Sequence, residues 1–311
     1  MTGFPRRIGT VVTLVLAVFL AVWPAAAAEP VAFTWSDSRL PVPAGLATDK
    51  DHGVYWTANT SPGATTSLFA VDPAGKVKGR VTLATAARGP EAVAYDGGRI
   101  FVADVGAAKG SVTVSYAVVA TVADTTLTYR SWDFVYPDSS EVTRALLVGP
   151  STQLHLVTSS GRVYAAPATP TAQGQNRLTK VADLPSGIVG GSSDASGVML
   201  RTAGELMVVD RATWQVVART STPAQQSPRG VTSALDGAGA LLSGQGVGTP
   251  VLVVPTPSAA PSPTATPTAT ATAVTSPQIG GEKVSRTGTF VALGGALALA
   301  LVAALVAFAR R

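Results

Sequence analysis

Between Gly45 and Leu83 the chain contains four short strand-like runs separated by Gly, Pro and Asp residues. The runs are Gly45–Asp49, Val54–Asn59, Ser67–Asp72 and Val77–Leu83. They alternate apolar and polar residues, are rich in Val, Tyr, Leu and Thr, and show no helical period, which predicts β-strands. Because such a small sheet cannot bury its faces alone, the pattern predicts one blade of a β-propeller.

The same unit recurs along the chain after this first copy. The later copies begin near Glu91, Arg144, Gly187 and Gly230, at steps of about 40 to 55 residues, as a four-stranded blade requires. In most copies the first run ends near an aspartate, namely Asp49, Asp96, Asp194 and Asp236. We therefore predict an all-β propeller of about five four-stranded blades. Six blades are the alternative if the long second copy hides another, and an open β-sandwich is the structural rival.

The fifth copy shows only three strand-like runs, and one further run, Val31–Trp35, is left over near the N-terminus. A propeller that leaves a blade incomplete exposes a sheet edge, which folded proteins avoid. We therefore predict that the leftover run supplies the missing outer strand and closes the ring. The predicted propeller domain spans residues 29–254.

Residues 1–28 have the pattern of a secretory signal peptide. Arg6 and Arg7 precede an apolar stretch, Pro24 interrupts it, and small residues precede Glu29. An uncleaved N-terminal anchor is the alternative. Cleavage is favoured because a helix breaker and an alanine tract stand where the signal peptidase cuts. The chain is therefore predicted to be exported.

The C-terminal end has the pattern of a membrane anchor. Residues 289–309 are a continuous apolar run that predicts one transmembrane helix, and the basic residues 310–311 predict a cytoplasmic C-terminus. Residues 255–288, rich in Pro, Thr, Ala and Ser up to about Gln278, predict an extended stalk. Val284–Gly288 resembles a degenerate sortase signal, so wall attachment at Thr287 is the alternative.

The formal charge of +5 comes from the two ends of the chain. Residues 29–255 contain 17 Lys and Arg against 17 Asp and Glu, so the predicted propeller is neutral overall. A neutral body lacks the basic surface that follows a phosphate backbone, which argues against nucleic-acid binding. The chain has no cysteine, which excludes disulfides, thiolate metal sites and cysteine nucleophiles.

Val54–Asn59 followed by Ser67–Asp72 resembles blades of the YWTD, NHL and gluconolactonase-type propeller superfamily. Phe101–Gly106, Tyr136–Asp138 and Leu154–Thr158 resemble secreted, actinobacterial-type propellers more closely. The resemblance implies acidic residues that this chain has largely lost; Arg144, for example, stands where those relatives carry an acid. If those acids bind metal or substrate in the relatives, this chain is predicted to lack that site.

A gluconolactonase-like site, as the resemblance implies it, needs a Glu, an Asp and two Asn around the central channel to hold a hard cation. Glu91, Asp104 and Asn59 are the residues that remain as candidate metal ligands, with Ca²⁺ as the candidate ion. The alternative is that they form turns and cross-blade hydrogen bonds. No other cofactor is predicted.

The other candidate residues are aromatic or histidine. Trp56 and Trp132 are candidates for stacking on a carbohydrate or peptide, with blade packing as the alternative. His52 and His155 lack the neighbours of a zinc site. A Ser-His-Asp triad stays open because such triads assemble in space, although no Gly-x-Ser-x-Gly motif is present.

These observations favour a cell-surface-tethered extracellular propeller that acts as a binding or protein-interaction module without catalysis. The expected partners are the membrane, through the C-terminal helix, and an extracellular protein or cell-envelope carbohydrate. The alternative is an extracellular metal-dependent hydrolase of lactonase or phosphoesterase type. A third hypothesis makes the propeller a structural spacer in a larger envelope complex.

Overall fold

The computed structural model describes residues 30–106, 109–138, 140–194 and 197–258. The predicted signal peptide, the transmembrane segment 289–309 and the basic tail lie outside the described residues, as does almost all of the stalk. In the described part of the chain, no helix is long and apolar enough to cross a membrane. The described part of the chain is almost entirely β-structure.

The described strands form five sheets, which are the blades of a five-bladed propeller. Blade 1 contains β2 Pro43–Asp49, β3 Val54–Asn59, β4 Thr66–Val71, β5 Val77–Leu83 and β9 Thr125–Leu127. Blade 2 contains β6 Pro90–Asp96, β7 Arg99–Asp104, β8 Ser111–Val118, β10 Arg130–Val135 and β14 Gln175–Arg177. Blade 3 contains β11 Thr143–Val148, β12 Leu154–Thr158, β13 Arg162–Ala165 and β15 Thr179–Asp183.

Blades 4 and 5 complete the ring. Blade 4 contains β16 Gly190–Asp194, β17 Gly197–Arg201, β18 Glu205–Val209 and β19 Val216–Ser221. Blade 5 contains β20 Pro228–Ser233, β21 Ala240–Gly244, β22 Pro250–Val254 and β1 Val31–Thr34. Among the described residues, the one helical element is a short 3₁₀ turn, Pro150–Thr152. The predicted all-β propeller of five four-stranded units is confirmed.

The long second copy does not hide a sixth blade. Its extra run, β9, pairs in parallel with β5 and so adds a fifth strand to blade 1. In the same way, β14, which comes from the third copy, pairs in parallel with β10 and adds a fifth strand to blade 2. The additional residues therefore widen two blades at their outer edges, and the alternative of six blades is wrong.

The N-terminal strand closes the ring as predicted. β1 pairs antiparallel with β22, so blade 5 combines strands from both ends of the propeller. Phe33 and Trp35 are 5% and 2% exposed, and their rings meet edge to face at 5.1 Å. They belong to one buried cluster with residues of blades 1 and 5, such as Tyr55 and Leu241, so this strand joins the last blade to the first.

The innermost strands β2, β6, β11, β16 and β20 each contact the next and surround a central channel. Their backbones approach closely. A Cβ placed on Gly45 of β2 would lie 2.6 Å from the backbone nitrogen of Val93 on β6. A Cβ on Gly190 of β16 would lie 1.8 Å from the carbonyl oxygen of Arg229 on β20. Glycine is required at such contacts because no other residue lacks a Cβ.

Candidate functional site

Three charged residues stand near the beginning of three inner strands, Glu91 on β6, Arg144 on β11 and Arg229 on β20. In each strand the pairing with the second strand of the blade shifts register at this place, which marks a β-bulge. A bulge changes the direction of a side chain relative to the regular ladder, and bulges are frequent beside binding sites. We call these residues the mouth triad, and this end of the channel the mouth.

One carboxylate oxygen connects the mouth triad. Oε2 of Glu91 accepts a hydrogen bond from Nη1 of Arg144 at 2.7 Å and another from Nη1 of Arg229 at 3.0 Å. β6 and β20 are not neighbours in the ring, because β2 lies between them. The contact between Arg229 and Glu91 therefore crosses the end of the channel. With two guanidinium groups and one carboxylate, the triad has a net charge of +1.

A cavity of about 450 Å³ lies beside the mouth triad and is lined by both of its arginines. The triad side chains remain partly accessible, with 16% of Glu91, 26% of Arg144 and 24% of Arg229 exposed. The remaining lining combines small polar and apolar residues, which are Ser159, Gly187, Ile188, Val189, Ala203, Ser227, Pro228 and Gln245. A few charged groups beside an apolar wall are typical of small-molecule sites.

A third arginine is buried close to the mouth. Arg201, at the end of β17, is 0% exposed and donates from Nη1 to the carbonyl oxygen of Gly230, at 3.4 Å, and to that of Ser243, at 2.9 Å. Its Nη2 donates to Oε1 of Gln225 at 2.7 Å, while its Nε–H has no hydrogen-bond partner. Burial lowers the pKa of Arg201 to about 10. Among the described residues, no carboxylate pairs with this cation.

The three candidate metal ligands all lie toward the mouth but take part in separate interactions. Glu91 is held by the two arginines of the triad. The carboxylate of Asp104 accepts hydrogen bonds from the backbone N–H groups of Arg88, at 2.8 Å, and Gly106, at 3.2 Å. Oδ1 of Asn59 accepts one from the backbone of Ser61 at 3.2 Å. Within the described residues, no group of three or more His, Asp or Glu is placed to hold a metal ion.

The two candidate stacking residues lie in different environments. Trp56 is 0% exposed, and its Nε1 donates to Oδ2 of Asp49 at 3.0 Å, so its ring belongs to the packing of blade 1. Trp132 on β10 is half-buried and stacks on Tyr116 with ring centroids 5.0 Å apart. Tyr116 in turn stacks on Phe101 at 5.3 Å. Trp132 therefore ends a row of three aromatic rings across blade 2, away from the mouth triad.

The buried carboxylate of Asp49 anchors a second polar cluster. It accepts hydrogen bonds from Nδ1 of His52, at 2.8 Å, as well as from Trp56. The other ring nitrogen of His52 faces the carbonyl oxygen of Ala120 at 3.4 Å, so a backbone carbonyl occupies the place that a serine hydroxyl takes in a Ser-His-Asp triad. The second histidine, His155, packs against Trp214 with ring centroids 5.0 Å apart.

Glu141 anchors a further buried cluster on blade 3. It is 3% exposed and forms an ion pair with Arg162. It also accepts hydrogen bonds from the hydroxyl of Ser160, at 2.9 Å, and from that of Tyr164, at 3.4 Å. Arg162 also contacts Asp138 at 3.0 Å. These contacts satisfy the buried carboxylate and hold the segment before β11 against blade 3.

The end of the channel opposite the mouth is joined by hydroxyl groups. The hydroxyls of Thr48 on β2 and Thr232 on β20 lie 2.8 Å apart. The hydroxyl of Ser193 on β16 accepts from the N–H of Val148 on β11 at 3.1 Å and donates to its carbonyl oxygen at 3.0 Å. A cavity of about 390 Å³ lies at this end. The carboxylate of Asp194 on β16 also accepts a hydrogen bond from the hydroxyl of Ser233 on β20, so hydroxyls and a carboxylate together link the inner strands here.

Reasoning from the sequence did not identify Arg144 and Arg229 as a pair. The signal that finds them is the comparison of the five copies at one aligned position, which is the second residue of β2, β6, β11 and β20 and the residue just before β16. That position carries Glu91, Arg144 and Arg229 in three copies, against Ala44 and Val189 in the other two. Charged residues at a repeated inner-strand position indicate a function that the repeat itself does not need.

No protein-family model matches the chain, and no curated protein matches it. Solved structures are similar to it at low identity. A glutaminyl cyclase from Myxococcus xanthus is 13% identical over 73% of this chain and 100% of its own, with a TM-score of 0.47. A gluconolactonase from Xanthomonas campestris is 11% identical over 75% of this chain and 99% of its own, with a TM-score of 0.43.

The PQQ-bound form of an aldose sugar dehydrogenase from Streptomyces coelicolor is also similar. It is 14% identical over 76% of this chain and 86% of its own, with a TM-score of 0.43. At these identities and TM-scores the similarity carries no information about the activity of the present chain.

Proposed function

We propose that the protein is an exported, membrane-tethered propeller that binds a small solute in the cavity at the mouth. The observation that carries the proposal is the mouth triad, whose charged side chains cross the channel end beside a cavity of about 450 Å³. That volume lies in the range of small-molecule sites. The triad offers fixed hydrogen-bond donors there, and a propeller places such a site on a rigid ring of strands.

The proposed placement at the cell surface rests on the two ends of the chain. The secretory pattern of residues 1–28 supports export, and the apolar run 289–309 with Arg310 and Arg311 supports a single-pass anchor. The stalk 255–288 would hold the propeller away from the membrane. Attachment to the wall at Thr287 is the alternative route to the same surface.

The proposal is tested by asking whether the purified full chain retains a solute. The protein is produced with its signal peptide, purified in detergent and denatured, and the released small molecules are identified by mass spectrometry. Ala203→Trp places a large ring at the rim of the cavity, while Ala212→Trp adds the same ring on an exposed turn away from it. We expect a solute with the wild type and the Ala212 variant and its loss with the Ala203 variant. Equal retention by both variants, or no retained solute in any of them, would contradict the proposal.

The hydrolase hypothesis has its own test. A metal-dependent lactonase or phosphoesterase would need a bound cation, for which Glu91, Asp104 and Asn59 were the candidates. Calorimetry of the full chain with calcium measures this directly. Tight calcium uptake that Asp104→Asn abolishes would favour the hydrolase and would count against the binding role.

A further inference from the structure

The mouth triad leaves most of its hydrogen-bond donors unused. A guanidinium group has five N–H donors. Among the described residues, the side chain of Arg144 makes one hydrogen bond, from Nη1 to Glu91. That of Arg229 makes two, from Nη1 to Glu91 and from Nη2 to Gln245 at 3.4 Å. Both arginines meet the same carboxylate oxygen, so neither forms the two parallel bonds that suit the planar group best.

The charge around the mouth is also unbalanced. The triad contributes +1, Arg201 adds a buried cation that the described residues leave without a carboxylate, and Asp104, which also lies toward the mouth, contributes −1. Arg201 is linked to the mouth through the carbonyl oxygen of Gly230, the residue that follows Arg229. Because a buried charge is screened less than an exposed one, its field extends to the mouth. The positive charge of the three arginines therefore exceeds the negative charge of Glu91 and Asp104, and the excess would attract an anion to the mouth.

We propose that the mouth binds a small organic anion, whose carboxylate or phosphate oxygens pair with Arg144 and Arg229. This inference rests on the proposed function and specifies the chemical class of its ligand. Glu91 keeps the two arginines in place and competes with the ligand for their donors. Val189 and Ala203 face the rest of the solute, and Ser159, Ser227 and Gln245 offer polar contacts. The cavity volume limits the solute to a small molecule.

A triad that binds an anion and a triad that is purely structural respond differently when Glu91 is replaced by glutamine. If the triad only braces the ring, Glu91→Gln weakens the fold and has no effect on anions, because no anion binds. If the triad binds an anion, the same change removes an internal competitor. The variant is then less stable in sodium chloride alone, because two guanidinium groups face each other, and an added probe anion stabilises it more than it stabilises the wild type.

The test uses the full chain in detergent with two probes, sodium phosphate and sodium glucuronate, against sodium chloride at equal ionic strength. The two probes separate phosphate from carboxylate as the preferred group. Thermal unfolding and calorimetry measure binding to the wild type, to Glu91→Gln, and to Arg144→Gln and Arg229→Gln. Arg219→Gln is the matched control, since Arg219 is exposed on the outer strand β19. Arg144→Lys and Arg229→Lys keep the charge if a glutamine variant fails to fold.

We expect at least one probe to raise the unfolding temperature of the wild type and of Arg219→Gln. Each loss of a mouth arginine should weaken binding by at least about tenfold, the effect of one charge-assisted hydrogen bond. The lysine variants should bind with intermediate affinity, and Glu91→Gln should bind several-fold more tightly than the wild type.

Three results would overturn the inference. The first is that neither probe has an effect on the wild type or on Glu91→Gln. The second is that Arg219→Gln loses as much binding as the mouth-arginine variants do. The third is that Glu91→Gln binds the probe more weakly than the wild type. The proposed function would survive the first result if the purified chain retains an uncharged solute that Ala203→Trp excludes. The two proposals therefore fail separately.

Discussion

The two histidines experience opposite influences from their surroundings. The carboxylate of Asp49 beside His52 raises the pKa of that imidazole above its ordinary value of 6.5, chiefly through their hydrogen bond. Burial lowers the pKa of His155 below the same value, and the charge of Arg211 acts in the same direction. The folded protein therefore favours the charged form of one histidine and the neutral form of the other.

This difference predicts opposite pH dependences of stability for the two single-histidine variants. In His155→Gln only His52 remains. The stability that the charged form of His52 contributes is fully present below pH 6.5 and is lost as the pH rises through its raised pKa. In His52→Gln only His155 remains, and stability is lost as the pH falls from 6.5 through its lowered pKa. The measurement is the unfolding midpoint from about pH 5 to about pH 8, each variant relative to the double variant. Curves of the same sign would contradict the assignment.

The two candidate tryptophans show that the type of a residue does not by itself predict the role of the residue. Tryptophan is typical of both blade cores and ligand sites. Trp56 and Trp132 are indistinguishable by type, yet the carboxylate of Asp49 holds the first in the core, and the second ends a row of aromatic rings. How deeply each tryptophan is buried depends on which blades pack together. A single run of sequence does not encode the contacts between blades.

At the scale of the element, glycine controls how closely the inner strands approach. Gly190 has an ordinary backbone conformation, so its requirement is steric: a Cβ there would lie 1.8 Å from the carbonyl oxygen of Arg229. Gly204, between β17 and β18, has open space around it and also has no positive φ. The two positions therefore separate the effect of crowding from that of adding a methyl group.

We predict that Gly190→Ala destabilises the fold by about 1–3 kcal/mol or more, because β20 must move away from β16. Gly204→Ala should change the free energy of unfolding by no more than about 0.5 kcal/mol. Denaturant unfolding measures both. Because Arg229 lies at the contact, Gly190→Ala should also weaken anion binding at the mouth. Equal stability of the two variants would show that the inner strands are not in close contact there.

At the scale of the whole molecule, the ring depends on a strand from the N-terminal end. β1 completes blade 5, and Phe33 packs against Trp35 and against Tyr55 of blade 1, 6.1 Å away. The same strand exposes Val31, which is 54% accessible. A register shift between Val31 and Phe33 turns these two side chains to different sides of the strand, Val31 to solvent and Phe33 to the junction between the first and last blades.

Phe33→Ala should therefore cost about 3–5 kcal/mol of stability, the range for removing a buried aromatic side chain. Val31→Ala, on the exposed face of the same strand, should stay within about 0.5 kcal/mol of the wild type. Thermal and denaturant unfolding of the full chain measure both. If the two variants lose the same stability, closure of the ring does not depend on packing of β1.

The sequence alone determined the blades and the strand that closes them, because these depend on local runs, a regular repeat and the need to cover a sheet edge, but it left five or six blades open. The tertiary structure decided for five, because the extra run of the long second copy, β9, pairs with β5 of blade 1. Only the tertiary structure decided the mouth triad. Its ion pairs join residues 53 and 138 positions apart. Closure of the ring brings them together, and no local pattern specifies which charges then meet across a channel.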